Sequence, residues 1–151
     1  MEAMLAPKSG GGYSAAKDRI YEVKRVWQDA AMKVSMTYNA QCGTARNVLA
    51  MLREKGIEPE IIEYLRTPFT AAGIAALVKQ MGVSVRDVVR VKEPLYAELK
   101  LAGADDDALL AAMAANPILI NRPIVIIGKC AKLCRPSETV LEFLLSAIHS
   151  D

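Results

Sequence analysis

The sequence predicts an α/β fold in which a mixed sheet carries a helical insertion. Three observations lead to this prediction. A strand, a helix and a second strand follow one another over residues 34–64, the middle of the chain is helical in pattern, and a hairpin and a helix close the sequence. The 151 residues, 52% of them hydrophobic, are enough to bury one core without a disulfide or a metal.

The bulk composition excludes several classes of protein. A formal net charge of +2 is too small to indicate nucleic acid or an acidic membrane as a partner. No apolar run approaches the roughly 18–20 residues of a transmembrane helix, so no membrane partner is expected. Cys42, Cys130 and Cys134 form an odd set, which argues against a disulfide framework and favours a reducing, cytoplasmic location. With a single histidine and no second cysteine pair, no metal site is expected.

The sequence divides into two parts. Residues 1–31 are predicted to be an N-terminal extension, partly helical or flexible, and residues 32–151 to be the domain. Ser9 to Gly12 is a flexible stretch, and Ile20, Val23 and Trp27 are spaced for one face of a short helix.

A βαβ unit is predicted at the start of the domain. Residues 34–38 form a buried strand, residues 44–55 a helix that Gly56 ends, and residues 60–64 a second strand. Since a helix joins the two strands, they are expected to be parallel.

Three helices are expected in the middle of the chain. They cover residues 71–81, 85–91 and 105–116. Thr70 and Gly82 bound the first, Ser84 opens the second, and the acidic run from Asp105 suits the positive end of the third helix dipole. Lys92 and Glu93 are interpreted as a solvated connection.

The last part of the chain is predicted to be a hairpin followed by a helix. Its strands cover residues 124–127 and 131–134, and its helix runs from Ser137 to about Leu145. The complete order, β-α-β, helices, β-β-α, is that of a thioredoxin-like sheet with a helical insertion.

Cys42 is the candidate nucleophile because it lies where a strand ends and a helix begins. The first N–H groups of a helix have no internal partner, so they bind anions and favour a thiolate over a thiol. Gly43 leaves room for an oxyanion beside the backbone, Thr44 adds a hydroxyl and Arg46 adds charge. Taken alone, Cys42 is equally compatible with a small buried residue at a tight turn.

Four segments resemble blocks of the glutaredoxin-coupled arsenate reductases, in the same order. They are Asn39-Ala-Gln-Cys-Gly-Thr-Ala-Arg-Asn47, Met81 to Arg90, Pro117 to Val125, and Leu133-Cys-Arg-Pro-Ser-Glu138. The similarity covers about residues 32–145. It implies a thioredoxin-like fold and reduction of arsenate to arsenite.

The resemblance also implies roles for individual residues. Cys42 matches the nucleophile that forms a thiolate–arsenate adduct, and Arg90, Arg122 and Arg135 match the arginines that hold the oxyanion. Glutathione, a co-substrate, then attacks the adduct, and glutaredoxin reduces the mixed disulfide to release arsenite. No cofactor stays bound. Pro123 is expected to be cis.

Two positions depart from the family pattern. Tyr38 and Ala40 stand where the family usually has histidine and proline, and that histidine is thought to help activate the cysteine. We expect the helix N-terminus and the arginines to lower the pKa of Cys42 without it. A resolving role for Cys130 or Cys134 is weaker than their interpretation as small hydrophobic residues.

Two other functions stay open on the sequence. Spx-type transcription regulators share this fold, but they usually carry a second cysteine in the redox loop, where this chain has Ala45. A glutathione-dependent thiol oxidoreductase with another substrate is the third hypothesis, and the altered residues Tyr38 and Ala40 support it.

Overall fold

The structure is a computed structural model that describes residues 33–149. The predicted extension over residues 1–31, with its short helix, lies outside the described residues.

Four strands form one mixed sheet. They are β1 (Val34–Thr37), β2 (Glu60–Ile62), β3 (Ile124–Ile127) and β4 (Cys130–Leu133), in the order β2-β1-β3-β4. Strands β1 and β2 are parallel, whereas β3 is antiparallel to both of its neighbours. The predicted βαβ unit and terminal hairpin are therefore confirmed, but β1 and β2 end at Thr37 and Ile62, earlier than expected, and β4 lies one residue earlier than expected.

Five α-helices surround the sheet in the part of the chain that is described. They are α1 (Gly43–Glu54), α2 (Ala71–Met81), α3 (Pro94–Glu98), α4 (Asp106–Ala115) and α5 (Thr139–His149). Short 3-10 helices cover Val85–Val88, Leu101–Gly103 and Pro117–Leu119.

The ends of α2 and α4 follow from capping residues that the sequence identified. The Thr70 hydroxyl accepts a hydrogen bond from the Gly73 N–H at 3.0 Å, and Gly82 ends α2 in the left-handed region with φ 70°. The Asp105 carboxylate accepts from the Ala108 N–H at 2.9 Å. Each cap satisfies a backbone donor that the helix itself leaves without a partner.

Two predicted helices need correction, and one helix was not predicted. The helix expected over residues 85–91 is only a 3-10 turn, because Val89 leaves it to form an antiparallel bridge with Ile120. The last helix continues to His149 instead of ending near Leu145. Helix α3 was not predicted, and it lies just beyond the connection interpreted as solvated.

The sheet separates two hydrophobic clusters, and alternate residues of β3 face each of them. Val125 and Ile127 belong to the cluster beneath α1 and α5, whereas Ile124 belongs to the cluster beneath α2 and α4. This alternation is expected of a strand with both faces covered.

One end of the sheet collects segments that are far apart in sequence. Because β1 and β3 are antiparallel, the end of β1 lies beside the start of β3. The buried Thr37 hydroxyl accepts a hydrogen bond from the Ile124 N–H at 2.9 Å and joins the two strands there. The loop after β1 and the residues just before β3 are thereby held side by side.

Within residues 33–149, none of the helices has the length and apolar character needed to cross a membrane. The same residues hold no group of three or more histidine, cysteine, aspartate or glutamate side chains that could bind a metal ion.

Candidate active site

Cys42 caps the N-terminus of α1 with an extended backbone, at φ −94° and ψ 115°. Asn39 shapes the preceding loop: its carbonyl accepts from the Cys42 N–H at 2.9 Å and its side-chain oxygen from the Gln41 N–H at 3.0 Å. Cys42 is 5% exposed, but Gln41 and Gly43 on either side are exposed. The thiol therefore lies immediately beneath the surface.

The pKa of Cys42 lies below its ordinary value, as the sequence predicted. Burial acts to raise it, but several donors outweigh burial. In order of effect these are the Ala45 backbone N–H, the Arg122 guanidinium by hydrogen bonding and by charge, and the Thr44 backbone N–H. A helix N-terminus and a neighbouring cation thus favour the thiolate together.

Two of the three predicted arginines lie at this sulfur. Arg135 follows β4, and its Nη1 is 4.0 Å from the Cys42 Sγ and 3.0 Å from the Arg122 carbonyl oxygen, to which it donates. Arg122 precedes β3 and acts directly on Cys42. The peptide bonds that follow both arginines, to Pro123 and Pro136, are cis, which confirms the expectation for Pro123.

The Arg122 Nε is buried and has no hydrogen-bond partner among the described residues. An orphaned buried donor is uncommon, because leaving it unpaired costs roughly 1–3 kcal/mol. Beside an ionisable sulfur, such a donor is suited to pair with a negatively charged group.

Arg90 occupies a different position from the other two. Its backbone N–H donates to Leu119 O at 2.7 Å, which ties it to the segment that leads to Arg122. Its guanidinium contacts the Glu93 carboxylate at 2.8 Å rather than Cys42. The structure therefore brings Cys42, Arg122 and Arg135 together and places Arg90 in an ion pair.

The loop residues after Cys42 differ in what they contact. Gly43 is exposed, and a Cβ placed there would meet only Arg46 Nη2, at an ordinary 3.7 Å. Packing therefore does not require glycine at this position. Thr44, half-buried, acts on Cys42 through its backbone N–H. Arg46 donates to Ala40 O at 2.6 Å, so it braces the loop.

The other two cysteines are poorly placed to resolve a disulfide with Cys42. Cys134 is fully buried, and burial raises the pKa of its thiol to about 12. Cys130 is exposed, but it pairs with Ile127, which in turn pairs with Val34 at the opposite end of β1 from Cys42. Both observations favour their interpretation as residues without a redox role.

The sequence also matches a known protein family. The ArsC family profile matches residues 38–143, which is most of the described chain. The chain belongs to the ArsC family. It is 46% identical over 115 residues to the arsenate reductase of Rhizobium meliloti strain 1021, covering 75% of this chain and 82% of the relative. It is 47% identical over 116 residues to that of Escherichia coli strain K12, covering 76% and 82%.

The fold of this ArsC-family chain also matches a solved relative. The arsenate reductase from Vibrio cholerae superposes with a TM-score of 0.71 at 44% identity, covering 74% of this chain and 97% of that one. The predicted thioredoxin-like α/β fold is thereby confirmed.

Two residues that the sequence did not single out act on predicted site residues of this ArsC-family chain. Glu93 was interpreted as part of a solvated connection, but its side chain is only 20% exposed and it binds Arg90. Tyr64 is 1% exposed. In the sequence, residues 92–93 resembled a surface segment. The spacing of Glu93 three residues after Arg90 was the one signal that could have indicated their ion pair.

The Tyr64 hydroxyl lies within electrostatic reach of the sulfur. Burial raises the pKa of Tyr64, and the nearby Cys42 adds to that effect, whereas Arg122, Asn39 and Arg90 act to lower it. The phenol therefore stays protonated at neutral pH.

Proposed function

We propose that this chain reduces arsenate to arsenite, with Cys42 as the nucleophile. The observation that carries the proposal is a thiol of lowered pKa beside two guanidinium groups, one with a buried donor that has no partner among the described residues. Membership of the ArsC family and relatives named arsenate reductase support the choice of oxyanion.

The first step is attack by the Cys42 thiolate on arsenic. An arsenic–sulfur bond forms, the bond from arsenic to a hydroxyl of arsenate breaks, and that hydroxyl takes up one proton from solvent and leaves as water. Neither arsenic nor sulfur changes oxidation state in this step. An anionic nucleophile and an anionic substrate repel one another. Fixed cations and N–H groups at the point of attack offset that repulsion.

The guanidinium groups supply most of this positive charge. Arg122 and Arg135 lie at the sulfur, and in this proposal Arg90 binds the oxyanion from the adjoining segment. Guanidinium stays charged and offers paired donors that match the oxygens of a tetrahedral anion. The backbone N–H groups at Gly43 and Thr44 complete the binding site at the start of α1.

The second step requires thiols from outside the chain. Reduction of arsenic(V) to arsenic(III) consumes two electrons, and the formation of one disulfide from two thiols supplies them. Since Cys134 is buried and Cys130 lies at the far end of the sheet, we propose glutathione as the second thiol. Glutaredoxin then reduces the mixed disulfide at Cys42.

The proposal extends to the domain and the compartment. We propose that the catalytic domain spans residues 32–151, and the family match over residues 38–143, which lies inside these bounds, supports this. Glutathione and glutaredoxin act where thiols are kept reduced, so a cytoplasmic location follows.

A coupled assay tests the function. The full chain is mixed with arsenate, glutathione, glutaredoxin and glutathione reductase, and NADPH oxidation is followed. We expect oxidation that depends on arsenate and falls to the background rate in Cys42→Ser. If the wild-type rate does not exceed that control, the proposal is wrong. Activity on other glutathione mixed disulfides would then favour a thiol oxidoreductase with another substrate. Binding to RNA polymerase would favour an Spx-type regulator.

A further inference from the structure

Arg90 is held by a partly buried carboxylate. Its Nη1 donates to Glu93 Oε1 at 2.8 Å and, more weakly, to Ile118 O at 3.4 Å. The side chains of Arg90 and Glu93 are 25% and 20% exposed. Because water screens such a pair less than a surface pair, the contact fixes the guanidinium more firmly.

The pairing geometry differs from that of a surface ion pair in the same molecule. The Nε and Nη2 of Arg53 donate to the two carboxylate oxygens of Glu58, at 3.0 and 2.9 Å. The side chains of Arg53 and Glu58 are 54% and 66% exposed. That carboxylate covers one whole edge of its guanidinium. Glu93, in contrast, meets Arg90 through one oxygen and one nitrogen.

Both contacts fall on Nη1, which leaves most of the Arg90 guanidinium available. The group has five N–H donors, and Nε and Nη2 have no hydrogen bond to any residue in the described part of the chain. The Nε–Nη2 edge is the one that can bind two oxygens of an anion side by side.

The backbone around Arg90 is fixed relative to the site. Its N–H donates to Leu119 O at 2.7 Å, and the Asn121 N–H donates to Val88 O at 2.7 Å, immediately before Arg122. With the backbone held, the position of the guanidinium depends on its side-chain contacts, and Glu93 is the charged group among them.

We propose that Glu93 is a positioning residue for oxyanion binding, which holds Nη1 of Arg90 so that the Nε–Nη2 edge is presented to arsenate. This inference rests on the proposed function. It assigns Glu93 no contact with the substrate, so its effect must pass through Arg90. Loss of the contact should weaken arsenate binding much more than it slows the chemical step.

The test compares KM and kcat for arsenate first in three single variants of the full chain. Glu93→Ala should raise KM roughly tenfold with a smaller change in kcat. Glu93→Gln keeps an oxygen that accepts from Nη1 and should raise KM less than Glu93→Ala does. Glu58→Ala breaks the surface pair with Arg53 and should leave both constants at their wild-type values.

The fourth comparison asks whether Glu93 acts through Arg90. In an Arg90→Ala background, adding Glu93→Ala should change KM by less than twofold, because the two effects are not additive when one residue works through the other. A full tenfold effect in that background would overturn the inference. An unchanged KM in Glu93→Ala alone would also overturn the inference, because Glu93 would then have no effect on binding. A lowered KM would overturn it too, because it would show that the carboxylate only repels arsenate.

A second experiment measures arsenate binding separately from turnover. Iodoacetamide alkylates Cys42 in the absence of glutathione, and bound inorganic arsenate should slow that alkylation. If arsenate protects the wild-type chain, and Glu93→Ala needs a tenfold higher arsenate concentration for the same protection, the inference is supported. Wild-type chain that turns over arsenate while Glu93→Ala behaves identically overturns the inference alone. Wild-type chain with neither turnover nor protection overturns the proposed function as well.

Discussion

At the scale of single residues, the ionisation of Cys42 is a balance between burial and nearby donors. Burial raises its pKa, and the Ala45 N–H, Arg122 and the Thr44 N–H together lower it further than burial raises it. Tyr38, which replaces the family's usual histidine, packs against the core cluster beneath α1. The groups that favour the thiolate are thus the helix start and an arginine, neither of which depends on residue 38.

Gly43 provides a test of the space that arsenate needs. An added Cβ would make only an ordinary contact with Arg46, so Gly43→Ala should fold with stability within about 1 kcal/mol of wild type. In the proposed site the methyl group instead crowds an oxyanion at the backbone N–H groups. We expect KM for arsenate to rise several-fold with the Cys42 pKa unchanged, as measured by steady-state kinetics and alkylation at several pH values. An unchanged KM would show that arsenate does not approach residue 43.

The sequence identified the chemistry-bearing residues better than their partners. Cys42, Arg90, Arg122 and Arg135 were predicted together, and the structure places Arg122 and Arg135 at the sulfur but Arg90 in an ion pair with Glu93. The role of Glu93 could not be predicted, because an i,i+3 ion pair is ordinary in sequence and its value depends on burial. Tyr64 was missed for the same reason, since burial of its hydroxyl near the sulfur is a tertiary property.

At the scale of elements, local signals predicted helix ends well where a cap or a glycine was present. The bounds of α2 agree with the prediction because Thr70 and Gly82 cap its two ends through contacts that are local in sequence. Where a distant strand competes, the local signal fails. Ser84 does open a turn, but Val89 pairs with Ile120, 31 residues away in sequence, and the helix ends early.

Thr37 joins β1 to β3. Cys42 lies in the loop that follows β1, and Arg122 lies just before β3. The buried Thr37 hydroxyl is the hydrogen-bond acceptor for the Ile124 N–H. Thr37→Val keeps the shape but leaves that N–H unpaired, so the free energy of unfolding should fall by about 1–3 kcal/mol. Urea denaturation measures this loss.

Thr37→Ser is the matched control, because it retains the hydroxyl and loses only a methyl group. We expect it to be more stable than Thr37→Val and to alkylate at Cys42 as fast as wild type. Thr37→Val should alkylate more slowly, since Arg122 is no longer held beside the sulfur. Equal stability of Thr37→Val and wild type would contradict this account of the strand junction.

At the scale of the whole molecule, strand order creates the site. Arg135 reaches Cys42 across 93 residues of sequence, because β3 lies between β1 and β4 and the ends of all three strands meet. Element order in the sequence predicted a thioredoxin-like sheet, and the solved Vibrio cholerae relative agrees. The distances from each guanidinium to the sulfur depend on that assembly, so no local pattern in the chain could provide them.

The most direct test of the central claim is a titration of the Cys42 thiolate by its ultraviolet absorbance, taken as the difference between wild type and Cys42→Ser. That difference removes the contributions of Cys130 and Cys134. We predict a pKa below that of a free cysteine thiol, and a higher pKa in Arg122→Ala, because removal of the cation disfavours the charged form. A wild-type pKa at or above the free-cysteine value, or one that Arg122→Ala leaves unchanged, would contradict the account.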